Sequence, residues 1–162
     1  LPAIEWGNGE KSWYVRGKLH RDDDLPAVER ADGGKEWWVG GLRHRAGGLP
    51  AIEWTTETKQ WWVKGLLHRG DDLPAIEWAN GGREWWVGGK LHRDGNLPAI
   101  EYKNGSRKWY KHDLLHRDGG LPAVEYADGG KEWFVNGEEV LPPSCAGEIM
   151  EIGGRKYRLV EV

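Results

Sequence analysis

Cysteine and phenylalanine each occur once in this 162-residue sequence. The lone Cys145 excludes an intrachain disulfide and fits a reducing compartment. No run is apolar enough over sufficient length to span a bilayer, and no signal-peptide pattern is present. A basic excess is also missing. The net charge of -3 provides no broad field to attract DNA or anionic lipid, so nucleic-acid binding is excluded and membrane-surface binding disfavoured. Lys103, Arg107, Lys108 and Lys111 form a local basic cluster, read as a solvated edge. No segment carries a useful length of helical periodicity. No nucleophile–base pair, phosphate loop or metal spacing stands out, so no catalytic residue, metal or cofactor is assigned and the chain is not read as an enzyme.

What is present is repetition. Leu-Pro-Ala-Ile/Val-Glu opens at Leu1, Leu25, Leu49, Leu73, Leu97 and Leu121, a 24-residue period. Trp recurs at Trp13, Trp37, Trp61, Trp85, Trp109 and Trp133, and His-Arg at His20, His44, His68, His92 and His116. A fixed period of this length means stacked copies of one supersecondary unit. The 25 glycines fall at repeat-specific places and mark turns. Twelve tryptophans supply most of the large apolar surface. Residues 1–137 read as six tandem repeats, the first and last incomplete, and 138–162 as a capping hairpin of the same domain. The chain opens at Leu1 without Met, so a trimmed start with earlier repeats is expected.

The fourth unit shows the local logic. Pro74 to Trp78 reads as extended, Asn80-Gly81 as a hairpin turn, and Arg83 to Val87 as one strand that Gly88-Gly89 ends. Each unit is thus expected to be two short strands with two turns. Six units make an elongated, twisted antiparallel sheet in an all-β fold, with equivalent residues about 9.5 Å apart. With even loops, Ile76, Trp78, Trp85 and Val87 form the packed face; Ala75, Glu77, Glu84 and Trp86 form the open one. An odd loop reassigns these sets. Beyond Gly137, Glu148 to Ile152 and Arg155 to Val160 read as a hairpin around Gly153-Gly154, expected to cap the sheet edge.

Ladders of identical residues restrict chemistry. Histidines about 9.5 Å apart cannot share one metal ion, so the favoured reading is a structural turn histidine holding a backbone carbonyl. His112, Asp113 and His116 form a local exception. Glu5, Glu29, Glu53, Glu77, Glu101 and Glu125 are expected to pair with Arg21, Arg45, Arg69, Arg93 and Arg117. The invariant Trp13, Trp37, Trp61, Trp85, Trp109 and Trp133 are assigned to the core. The neighbouring Tyr14, Trp38, Trp62, Trp86, Tyr110 and Phe134 vary only among aromatics. If outward-facing beside Glu29, Glu53 and Glu77, they form a partner- or ligand-binding row. Arg30, Thr55-Thr56-Glu57 and Lys111-His112-Asp113 depart from the pattern.

Trp86-Val87-Gly88-Gly89-Lys90-Leu91-His92, with Phe134-Val135-Asn136-Gly137 and the turn Ala127-Asp128-Gly129, resembles a variant MORN repeat over residues 1–137. The unit is slightly longer than that family's, and Arg-x-x-x-Leu-Pro-Ala follows the His. The Leu-Pro-Ala, Trp-Trp/Tyr, His-Arg form is similar to repeat proteins of large viruses, phages and microbes. The resemblance implies a grooved antiparallel sheet used as a scaffold, dimerisation module or membrane-associated adaptor. The reading is therefore a non-catalytic scaffold that binds a protein partner or itself, as a homodimer or polymer. A module binding carbohydrate or a small aromatic molecule is the alternative. A cytoplasmic or virion-assembly location is expected.

Overall fold

The computed structural model describes residues 4–143 and two further strands, Ile149–Ile152 and Arg155–Arg158. The fold is all-β and elongated, built from stacked antiparallel hairpins. Each inner repeat has four two-residue strands where the sequence suggested two. In the fourth repeat they are Ile76–Glu77, Arg83–Glu84, Trp86–Val87 and Lys90–Leu91. The first two join their counterparts in one 13-stranded sheet, and the last two form a separate two-stranded hairpin.

The division falls at Trp85. Its amide leaves the local ladder and donates to Ala99 O of the next repeat at 2.8 Å, while its carbonyl accepts His92 N–H at 3.1 Å. The run Arg83 to Val87 has strand-favouring side chains throughout, but tertiary hydrogen bonds turn the chain at its centre. The last repeat alone among those described keeps the strand continuous, from Lys131 to Val135.

Register across the long sheet is strict. One row runs Ile52, Gln60, Ile76, Glu84, Ile100, each directly opposite the next. The other runs Glu53, Lys59, Glu77, Arg83, Glu101, Arg107 and alternates acid with base at every strand. Opposite charges directly across a ladder contribute roughly 0.2–1 kcal/mol each. A one-residue slip would set these charges against isoleucines, so the row also holds register.

The loop between Glu77 and Arg83 holds five residues, an odd number, and this corrects the assignment of faces. Ile76 sits opposite Glu84, and Glu77 opposite Arg83. Ile76 and Trp85 are buried, whereas Trp78 and Val87, expected beside them, are each 41% exposed. Asn80 does not take a positive φ. Its Oδ1 instead accepts Gly82 N–H at 2.9 Å, and Gly81 alone turns left-handed at φ 88°. The Gly88-Gly89 pair does more than end a strand: with φ of 58° and 81° it forms a two-residue turn of type I′ geometry between Val87 and Lys90.

Burial is concentrated where repeats meet. Ala27, Ala51, Ala75, Ala99 and Ala123 are fully buried, and Ile52, Ile76, Ile100 and Trp37, Trp61, Trp85, Trp109 nearly so. Each alanine carbonyl accepts the tryptophan amide of the preceding repeat, as Ala75 O does from Trp61 N–H at 2.8 Å.

At the far end, Glu138–Val140 pairs with Trp133 to Val135 and forms the last strand of the long sheet. Ile149–Ile152 pairs with Arg155–Arg158 as a separate hairpin whose register leaves two residues for the turn. Gly153-Gly154, Cys145 and Val160 lie outside the described residues.

Glu57 holds the left-handed position, at φ 71°, that glycine occupies in neighbouring repeats. An L-residue there costs roughly 1–2 kcal/mol, partly offset by glycine's entropy. Glu57→Gly is expected to raise stability by about 1 kcal/mol in urea unfolding. An unchanged or lower midpoint would contradict this assignment of strain.

Candidate interaction groove

The junction between repeats three and four shows how the repeated side chains are held. Trp61 lies flat under Arg69, whose guanidinium carbon is 3.6 Å from the ring centroid. Arg69 Nη1 donates to Pro74 O at 3.2 Å and to Glu77 Oε1 at 2.8 Å, both in the next repeat. The Trp61 indole N–H donates backward to Gly48 O at 2.8 Å. The unit recurs as Arg21 on Trp13, Arg45 on Trp37, Arg93 on Trp85 and Arg117 on Trp109. Their carboxylate partners are Glu29, Glu53, Glu101 and Glu125. A cation over a desolvated indole contributes about 2 kcal/mol, more than an exposed ion pair. Tryptophan with arginine stacked on it thus joins each repeat to the next, and glutamate fixes the guanidinium's direction.

Two junctions add a second acid. Asp24 binds Arg45 through both carboxylate oxygens at 2.9–3.1 Å, and Asp72 binds Arg93 at 2.7–2.8 Å. The hydrogen bonds from Arg45 and Arg93 hold these carboxyls below their ordinary range. The His116 hydrogen bond, with the nearby Lys111 charge, lowers Asp118 likewise.

The histidines do not hold carbonyls. Nδ1 of His20, His68 and His116 instead accepts a backbone N–H from the next repeat's hairpin turn, at Gly40, Gly88 and Asn136. Nε2 of His20, His92 and His116 meets Asp22, Asp94 and Asp118 at 2.9–3.1 Å. Nδ1 of His44 and His92 is buried without a partner. The rings of His20, His68 and His116 thus tie one turn to the following hairpin. Among the described residues, no group of three or more His, Cys, Asp or Glu side chains could hold a metal ion.

The structure divides the expected partner row. Tyr14, Trp38, Trp62, Trp86, Tyr110 and Phe134 are half-buried. The indole N–H groups of Trp38, Trp62 and Trp86 turn inward to Glu36, Gln60 and Glu84 at 2.9–3.1 Å. Glu29, Glu53 and Glu77 are not the carboxylates these rings meet; they are bound by Arg21, Arg45 and Arg69. Glu84 accepts indole N–H groups from both Trp78 and Trp86. Burial, with charge at Tyr102 and Glu84, raises the Tyr110 phenol. The more exposed aromatics are Trp6, Trp78, Tyr102 and Tyr126, which open the hairpin loops.

The sequence departures have local causes. Arg30, where other repeats have an aromatic, pairs with Glu36, which is 2% exposed and also bound by Arg43 at 3.2 Å. A carboxylate so deeply buried requires that compensation. In the fifth repeat, His112 and Asp113 occupy the type I′ positions at φ 52° and 73°. Asp113 Oδ1 accepts Leu91 N–H at 2.8 Å, and the His112 ring stacks on His92 at 4.2 Å. At the equivalent Gly65 a Cβ would meet Leu42 Cδ2 at 3.2 Å. Lys90 stands in that neighbour's place below Asp113, so leucine crowding is absent there.

These parts form a groove. Pockets of one construction recur at four successive junctions, with volumes of about 340, 80, 430 and 160 Å³. Each is lined by the paired aromatics, Trp37-Trp38, Trp61-Trp62, Trp85-Trp86 or Trp109-Tyr110. Each also takes one leucine, Leu25 at the first, Leu49 at the second and Leu97 at both the third and the fourth. These leucines are 43–46% exposed, a row the sequence reading did not assign. Its signal was an invariant leucine ahead of each Pro-Ala, outside any strand. Val39, Val63 and Val87 line the first three pockets and are also exposed. The arrangement is a periodic apolar channel with polar turns along one lip.

Compared with family models, with curated proteins and with solved structures, the chain matches none. What the geometry itself establishes is a repeat fold of stacked β-hairpins.

Asp24 and Asp72 ionise more readily folded than their ordinary value of 3.8 implies. Their contribution is therefore present above that value and lost as pH falls through the depressed one. An Asp24→Asn/Asp72→Asn variant should unfold at lower urea than the parent at pH 7. That gap should close as acid titrates the parent; a gap constant down to pH 2 would contradict the pairing.

Proposed function

We propose that the chain is a non-catalytic scaffold of MORN type that engages a protein partner, or a second copy of itself, through the aromatic-lined groove. The observation that carries the reading is recurrence: a pocket lined by paired aromatics appears at four junctions in a row, edged by exposed Leu25, Leu49 and Leu97. Contiguous apolar surface of this kind marks a contact face. Catalysis needs an asymmetric constellation, whereas the groove offers near-equivalent sites suited to an extended surface. The rings are already oriented by their hydrogen bonds to Glu36, Gln60 and Glu84, so little ordering is required on contact.

Size-exclusion chromatography with light scattering, across a concentration series, tests this reading with Val63→Lys and Leu97→Lys. Both side chains are exposed, so the fold should tolerate either change. Species above 18.4 kDa are expected for the parent, returning to monomer in both variants. If the parent stays monomeric, both substitutions must abolish binding to its protein partner. Association that survives them, in either case, sinks the proposal.

A further inference from the structure

We infer that the groove takes a basic, proline-rich segment of another protein in the polyproline II conformation; this rests on the scaffold reading and specifies its partner. The first argument is period. Successive pockets are two strand spacings apart, about 9.4–9.8 Å along the sheet. A polyproline II helix advances about 3.1 Å per residue with three residues per turn, about 9.3 Å per turn. One face of such a peptide therefore meets one pocket per turn, and three junctions span about seven residues. An extended β-strand offers the same face every two residues, about 6.6–6.8 Å, and falls out of step at the second pocket.

The second argument is surface chemistry. Each pocket pairs flat aromatic edges with an aliphatic side chain, as at Trp85, Trp86 and Leu97. Pyrrolidine rings fit such aromatic-lined grooves, and a preformed polyproline II helix loses little entropy on docking.

The third argument is charge. The junction arginines are committed to their tryptophans and glutamates, so each Arg is balanced by a Glu. The aspartates leave the lip net acidic, although Asp24 and Asp72 share Arg45 and Arg93 and Asp118 meets Lys111: Asp22, Asp23 and Asp24 line the first pocket, Asp71, Asp72 and Asp94 the third, Asp94 and Asp118 the fourth. Lys111, at the fourth pocket, is the one cation among the described lining residues apart from the arginines. Arginine or lysine at every third position of a polyproline II segment lines one edge, where this acidic lip would face it. The second junction, with Ala46-Gly47-Gly48 in the turn, has no aspartate there and would accept a neutral residue. Strand twist winds the row of pockets about the sheet axis, so the match with a straight peptide lasts only a few turns.

Fluorescence anisotropy with labelled synthetic peptides decides the matter. The probe is (Pro-Pro-Arg)4; the controls are (Gly-Gly-Arg)4, equal in charge, and (Pro-Pro-Glu)4, equal in conformation. The expected result is binding of the probe at least about tenfold tighter than either control. Affinity should grow from two to three triplets and then level off. Leu49→Lys and Leu97→Lys, combined in one chain, should remove most of it. Equal binding of (Pro-Pro-Arg)4 and (Gly-Gly-Arg)4 would overturn the inference, as would tight binding untouched by the double substitution. The light-scattering experiment separates the two proposals: association lost in Val63→Lys and Leu97→Lys, without selective peptide binding, leaves the scaffold standing and removes the proline-rich partner.

Discussion

The stacking of one arginine on one tryptophan at every junction is the contact on which the rest of this structure depends. Burial is concentrated where repeats meet, and the tryptophan contributes to it by lying across the boundary under the guanidinium. Because Arg69 reaches Pro74 and Glu77 in the next unit, the same side chain both covers Trp61 and fixes the spacing of the following repeat. The sixth tryptophan shows the converse. No arginine follows Trp133 at the corresponding place, where Leu141 stands, and Trp133 remains half-buried.

The junction also explains why the backbone takes its form. To present its ring across the boundary, each inner tryptophan turns the chain out of the long sheet, and the residues after it pair into a separate hairpin. Two type I′ turns and one glycine-assisted loop per unit bring the chain back within 24 residues. Successive hairpins then approach closely enough for Gly65 N–H to reach Arg43 O at 2.9 Å. The pockets of the groove are the spaces left between these hairpins and the leucine-bearing turns. Their period is a by-product of strand spacing, which is why it is constant and why an extended periodic ligand suits it.

Much of the architecture was legible in the residues themselves. The repeat length, all-β character, invariant buried tryptophan and arginine–glutamate ladder all follow from fixed spacing, because a one-dimensional stack has few arrangements. Three features did not follow. The break at Trp85 is set by a hydrogen bond to Ala99 in the next repeat, which local strand preference does not encode. The loop parity depended on whether Asn80-Gly81 forms a two-residue turn. Asn80 captured Gly82 N–H with its side chain, and the five-residue loop sets Glu84, not Trp85, opposite Ile76. The outward character of Leu73 and Trp78 was hidden because both are large apolar residues that pattern reading assigns to a core. The deviant Arg30 and Asp113 were visible as departures, but their roles needed the positions of Glu36 and Leu91.

Native-state hydrogen exchange on Trp61→Ala, paired with urea unfolding, is the measurement closest to the central claim. If the tryptophan–arginine stack joins neighbouring repeats, the substitution costs about 3–5 kcal/mol. Amides of repeats three and four should then lose protection together, including Trp61, Trp85 and the strands Ile76–Glu77 and Arg83–Glu84. A loss confined to repeat three, with repeat four protected as before, would show that each unit holds itself and would contradict the account.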